Sequence, residues 1–237
     1  MSKLKSILLK FKGPLQSWGT SSHFETRHTD DYPSKSGVLG ILAASLGYRR
    51  NEDEKLKKLR EINFATRVDQ GGILLRDYQI AKKYKNNGQL ERNYVTNRYY
   101  LSDAIFLVVL SHEDEEFVDE IYRALKRPYF QSFLGRRSCP VNYDFIMGCF
   151  EEDPIELLKK TKWQASKIYR KNKTNRLKIY GDSKIIKSGR EKFRKDEAVS
   201  FSQKERKFQY RGESIIYVEV DRNIDETDHD AFEAVGD

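Results

Sequence analysis

Short apolar blocks alternate with polar stretches along the chain, and their periods name the elements. Residues 6–11 form a brief apolar run closed by Gly13-Pro14, which predicts a strand and a turn. A polar loop over 19–33 follows. Val38, Leu39, Ile41, Leu42 and Leu46 then recur at helical spacing behind Ser34 and Ser36, either of which can cap, with Gly47 as the stop. Residues 52–60 predict a second, highly charged helix, and 63–69 return to strand character. Residues 70–100 break the rhythm. Their β-prone arms, 73–80 and 94–101, flank a polar tip over 81–93 with almost nothing to bury, so an extended hairpin projecting from the body is expected. Residues 104–110 are apolar without interruption, as a central strand requires. Ser111 and Asp114 suggest a capping box for a helix over 113–126, where Phe117, Val118, Ile121 and Leu125 share one face ahead of Pro128. Strand character returns over 141–150, Asp153-Pro154 opens a short helix to 160, and the remainder to 220 reads as several short strands. The order suits an α+β, ferredoxin-like (RRM-like) domain over 1–150. The hairpin at about 70–100 would be an inserted thumb, and 151–220 a basic, β-rich C-terminal extension. No repeat of 20 to 50 residues is visible, which excludes a solenoid.

Charge changes the picture from fold to partner. The 237 residues hold 44 Lys+Arg against 36 Asp+Glu, a net of +8. Residues 221–237 carry seven acids and one base, a net of −6, and read as a disordered acidic tail; the preceding 220 residues are therefore +14 (8 + 6). Residues 157–212 alone hold 19 bases and 5 acids, enough to account for that excess. Part of this is a solvated face. Yet Lys192-Phe193-Arg194-Lys195 and the stretch from Lys204 to Arg211 interleave rings with cations, which suits phosphate neutralisation beside base stacking. A nucleic acid is the expected partner. The N-terminus, broken by Lys3, Lys5, Lys10 and Lys12, does not read as a signal peptide, and the longest apolar run is too short to span a bilayer. A cytoplasmic protein with no membrane partner is expected. Cys139 and Cys149 form no Cys-x-x-Cys pair, and no acid/His cluster has metal spacing, so neither a metal nor a cofactor is expected.

Four segments can carry recognition. Gly13-Pro14-Leu15-Gln16-Ser17-Trp18-Gly19 offers close backbone approach, an amide and a flat ring, or else a tight turn with Trp18 in the core. Pro33-Ser34-Lys35-Ser36-Gly37 places free N–H groups, the helix dipole and Lys35 where an anion would sit, although capping alone explains the serines. Arg136-Arg137 lies in a Gly/Pro-bounded loop, suited to bidentate phosphate contacts or to solvent. Thr96-Asn97-Arg98-Tyr99-Tyr100 gathers an amide, a guanidinium and two rings, for unpaired bases or for cross-strand packing. His23 and His28 precede Tyr32 and Lys35, the ingredients of a metal-independent endoribonuclease if they converge.

The segments Gly13-Pro14-Leu15-Gln16-Ser17-Trp18-Gly19, Thr26-Arg27, Pro33-Ser34-Lys35-Ser36-Gly37-Val38-Leu39-Gly40, Tyr100-Leu101-Ser102-Asp103-Ala104 and the run from Tyr129 to Pro140 resemble in order and spacing the CasD family. That family comprises the Cas5-type RAMP subunits of the type I-E CRISPR surveillance complex, Cascade, and the likeness covers roughly residues 5–150. The resemblance implies a modified RNA-recognition fold with a thumb and a noncatalytic subunit of antiviral defence. Such a subunit holds the 5′ handle of the CRISPR RNA and touches the backbone subunit and the large, PAM-reading subunit. Target DNA is met only indirectly, through the complex. Carried onto this chain, the RNA contacts implied are Gln16, Trp18, Arg27, Lys35, Ser36, Asn97, Arg98, Arg136 and Arg137, with no catalytic residue. A related subtype cuts RNA, and no segment here matches its motif.

Overall fold

A short apolar run builds the strand Lys5–Lys12 (β1), buried on both faces and lying one strand in from the edge of an antiparallel sheet. The computed structural model describes residues 4–20, 26–202 and 204–222. After β1 come two-residue strands, Leu15–Gln16 (β2) and Thr26–Arg27 (β3), and then the helix Lys35–Ser45 (α1). The cap of α1 is Ser34, whose hydroxyl accepts from the Gly37 N–H. Helix Asp53–Arg60 (α2) and strand Asn63–Gln70 (β4) lead into the hairpin Ile73–Tyr84 (β5) and Leu90–Ser102 (β6). The chain returns through Ile105–His112 (β7), Glu115–Lys126 (α3) and Ile146–Phe150 (β8).

Across the main sheet the strands run β8, β1, β7, β4, with α1 and α3 in the two crossovers. That is the strand order of the ferredoxin-like split βαβ plan. One face packs on α1, α2 and α3 through Phe11, Leu39, Leu42, Phe64, Phe106, Val108 and Phe117, all at most 2% exposed. The other face buries Leu8, Leu107 and Val109 under Ile155, Leu157 and Leu158 of the short helix Pro154–Lys160 (α4).

The C-terminal third differs from the sequence reading. Beyond the short helix Lys167–Asn172 (α5) it forms three strands, Arg176–Asp182 (β9), Arg190–Ser200 (β10) and Lys207–Glu219 (β11), two of them longer than ten residues. They continue the main sheet past β4 in the order β9, β11, β10, making seven strands in all. The join is β9 on β4 at Ala65–Gly181, Thr66–Tyr180 and Arg67–Ile179. A Cβ at Gly181 would stand 2.8 Å from that of Ala65, so glycine permits the approach. A second seam is made by Arg67, wholly buried, which pairs with Asp69 at 2.7 Å and donates to the carbonyls of Leu158, Thr161 and Lys162.

Two local expectations also need correction. Pairing of β5 with β6 continues to Tyr84–Leu90, through most of the supposed polar tip, because the ladder satisfies backbone groups whether or not the side chains bury. Ser111 is not a cap: it sits inside β7 and accepts from Asn63, and Asp114 caps α3 by accepting from the Phe117 N–H at 3.0 Å. Of the acidic tail, all but Asp221 and Arg222 lies outside the described residues.

Candidate nucleic-acid interface

The thumb base is where separate pieces of chain meet. Parallel pairing of β3 on β6 sets Arg27 beside Arg98, and two residues further along β6 Tyr100 faces the same way. The loop of residues 133–140 closes from the other side, held by a bridge from Phe133 to Pro140 and by the bond from Leu134 N to Cys139 O at 2.7 Å. Gly135 turns at φ +84, and a Cβ there would fall 1.6 Å from Ser17 O, so only glycine lets this loop lie on the residue 13–19 loop. The result is an open cavity of about 340 Å³ lined by Arg27, Arg98, Tyr100, Arg136, Arg137 and Ser138, with no acid among the described residues of its wall. Arg136 lies 4.4 Å over the Tyr100 ring and donates from Nη2 to Arg27 O at 3.0 Å. Its Nη1 is buried without a hydrogen-bond partner among the described residues. One carboxylate, Asp77, stands opposite Arg98 in the hairpin register.

Of the nine residues singled out from sequence, four therefore converge and the others serve elsewhere. Gln16 is fully buried, and its amide donates to Phe11 O at 3.2 Å and Ala104 O at 2.8 Å. Trp18 stacks on Phe11 at 5.2 Å and donates to Gln16 Oε1, so both are corrected from RNA contacts to the scaffold that seats the arginine loop. Asn97 lies on the opposite face of β6, accepting from Arg76 Nε. Lys35 is corrected too: its ammonium is 3% exposed and pairs with Asp182 at 2.9 Å, while its backbone N–H donates to Asp196 Oδ2. The anion expected at the start of α1 is thus supplied by the protein's own carboxylates. Ser36, also buried, hydrogen-bonds to the Ser34 hydroxyl.

Lys35 belongs to a wider buried network on β9, β10 and β11. Arg211 bridges Asp182, Asp196 and Glu213 at 2.6 to 2.9 Å. Arg194 reaches Asp30 at 2.7 Å and Glu213 at 3.4 Å, and Lys192 reaches Glu213 at 3.1 Å. Burial opposes ionisation of Glu213, but the Arg211 charge and the bond from the Tyr32 hydroxyl outweigh it and hold the carboxyl below the usual range. Burial is also the main reason the Tyr32 phenol is pushed well above its ordinary pKa, with the Glu213 charge adding to it. Tyr32 donates to Glu213 at 2.7 Å and stacks on Tyr180 at 3.8 Å. The grouping of His28 with Tyr32 and Lys35 is therefore not assembled. His28 stacks on Tyr99 at 5.3 Å instead, and His23 lies outside the described residues. Among the described residues no cluster of His, Cys, Asp and Glu could hold a metal ion, and no helix is long and apolar enough to cross a membrane.

A family model described as CRISPR-associated protein (Cas_Cas5) matches residues 6–213. The chain belongs to the Cas5 family. The CRISPR system Cascade subunit CasD of Escherichia coli (strain K12) is 33% identical to it over 167 residues, covering 64% of this chain and 75% of that one. A chain of a solved CRISPR RNA-guided surveillance complex superposes with a TM-score of 0.74 at 29% identity, covering 91% and 90% of the two chains. A second structure, titled as a Cas protein, gives 0.65 at 31% identity over 92% and 96%. In this Cas5 protein, sequence reasoning missed the pairing of β3 with β6 that brings Arg27 to Arg98, and the contribution of Ser138. A two-residue strand leaves no periodic signal, so that pairing had nothing to announce it.

Proposed function

We propose that this Cas5 protein is a noncatalytic subunit of a Cascade-type surveillance complex and that its thumb base holds the 5′ handle of a CRISPR RNA. The observation that carries the reading is the cavity wall of four guanidiniums, with no acid among its described residues, and the Nη1 of Arg136, buried without a hydrogen-bond partner among the described residues. A buried donor of that kind is costly unless an acceptor completes it, and a phosphate oxygen does so with a charge-assisted bond. Tyr100, itself 6% exposed, backs the Arg136 guanidinium and fixes where its charge points, while Tyr99 turns to the opposite face of β6 and stacks on His28. The thumb itself is two-faced. Leu74, Tyr78, Ile80 and Val95 are all more than 40% exposed and share one face, while Arg98 and Tyr100 share the other. An apolar stripe of that kind suits a neighbouring protein subunit, and the relatives' membership of Cascade and of an RNA-guided complex supports that assignment. Partners of the backbone and large-subunit type, with target DNA met through them, complete the proposal.

The test is to incubate the purified chain, in EDTA, with labelled CRISPR repeat RNA and divide the sample between a native and a denaturing gel. A shift that depends on the 5′ handle, with RNA of unchanged length, is expected. The double substitution Arg98→Ala and Arg137→Ala should abolish that shift and weaken assembly with partner subunits; normal assembly by the double variant would overturn the proposal. Discrete shortened RNA would establish an endoribonuclease instead.

A further inference from the structure

Two ring-and-cation segments of the C-terminal third have no part in the thumb base, and the fold brings them together. In the β10–β11 hairpin Phe193 pairs with Gly212 and Lys195 with Tyr210, so strand alternation sends all four to one face. Arg194 and Arg211, between them in sequence, turn to the opposite face and are consumed by the buried network. What remains outside is Phe193 at 75% exposure and Tyr210 at 65%, with the Lys195 ammonium 5.9 Å over the Tyr210 ring. Phe193 faces a glycine, so nothing across the ladder covers it. Diagonal neighbours on adjacent strands lie roughly 7–8 Å apart, within reach of one planar base bridging both rings. Lys195 and Glu191 are exposed on this face, Arg190 is exposed on the opposite face of the same strand, and Lys204 and Arg206 are exposed in the segment leading into β11, beside the Lys207-paired Glu205. An edge strand is commonly guarded by charge, and Arg190 and Lys195 alone would serve that end on β10. A bare phenylalanine works against such guarding and calls for another explanation.

We infer that Phe193, Lys195 and Tyr210 form a second nucleic-acid site, a stacking platform for an unpaired strand running across the outer face of β10 and β11. The rings take bases of any sequence and Lys195, with Lys204 and Arg206 of the adjoining segment, takes phosphates, so the ligand class is single-stranded RNA or DNA. The site stands independently of the thumb base, since it shares no residue with it.

Photo-crosslinking of the full chain separates the two sites. A twelve-nucleotide oligouridylate carrying 5-iodouridine and the matching oligodeoxythymidylate carrying 5-iododeoxyuridine are irradiated with the protein, and the adducts are mapped to peptides. Adducts at Phe193 or Tyr210 are expected on one or both oligonucleotides, and the arm that reacts identifies RNA or DNA as the strand. The substitutions Phe193→Leu and Tyr210→Leu, which preserve apolar character but remove the π-face, should erase those adducts and weaken binding of the same oligonucleotide about tenfold. Thumb-base adducts should survive in the variant. Glu191→Gln should tighten binding, because Glu191 Oε1 lies only 2.5 Å from where a Cβ on Gly212 would be and so repels phosphate beside the rings. Adducts confined to the thumb base, or unchanged affinity in the double variant with an unaltered melting curve, would overturn the inference while leaving the thumb-base proposal intact.

Discussion

The thumb base and the network on β9, β10 and β11 are built from the same residue type and reach opposite ends. In the network Lys35, Lys192, Arg194 and Arg211 meet Asp30, Asp182, Asp196 and Glu213, four cations against four carboxylates. In the thumb base Arg27, Arg98, Arg136 and Arg137 line a cavity whose described wall contains no acid. The first arrangement is internally neutral and holds the C-terminal strands to the start of α1. The second leaves its positive charge for something outside. A net positive segment therefore does not locate a polyanion site; cations whose carboxylate partners are absent do.

The sharpest way to break this contrast is to remove one charge from each side. Arg211→Met leaves three buried carboxylates with reduced compensation and should destabilise the protein by about 3–5 kcal/mol, read from urea or thermal unfolding. Arg137→Ala, at an exposed position, should leave unfolding within about 0.5 kcal/mol of the wild type. Its effect belongs to binding: each thumb-base arginine that contacts a phosphate should, on replacement by alanine, lower the slope of log K against log salt by about 0.7 for a single strand. Lys35→Met tests the reassignment of that residue directly. It should cost about 1–3 kcal/mol of stability and leave RNA affinity unchanged; a loss of affinity with unchanged stability would return Lys35 to the interface.

Acid separates the two regions by a different route. Glu213 titrates below its ordinary range in the folded chain, so the folded state holds fewer protons than the unfolded state through that interval. Its contribution is complete above the unfolded carboxylate pKa and is lost as pH falls through the depressed folded one. Unfolding curves between about pH 5 and pH 3 should therefore show a loss of stability, and the Glu213→Gln variant should show a shallower pH dependence over that interval. The smallest expected effect is Arg136→Lys. It keeps the charge but loses the planar stack on Tyr100, and binding should weaken by about 0.5–1 kcal/mol in a titration at fixed salt.

Much of the scaffold was legible in the chain. The helix faces of α1 and α3, the buried strand β7, the Asp153-Pro154 start of α4 and the projecting hairpin all follow from local periodicity and capping, which act over a few residues. The candidate site was legible only in half. Arg98, Arg136 and Arg137 stood out by their neighbours, but so did Lys35, Gln16 and Trp18, which the fold turns inward.

What the sequence determined by itself was the kind of most elements over the first 160 residues and an excess of cations that suits a polyanion. Which cations are paired inside the fold and which are left for an outside partner was decided by tertiary structure alone. Asp182 lies 147 residues from the Lys35 ammonium it neutralises, and Glu213 accepts from the Tyr32 hydroxyl across 181 residues. Charge compensation is a Coulomb interaction that depends on distance in space and on burial, and neither is written in the local pattern. The same holds for Phe193 and Tyr210, separated in the chain and set on one face by the register of two strands.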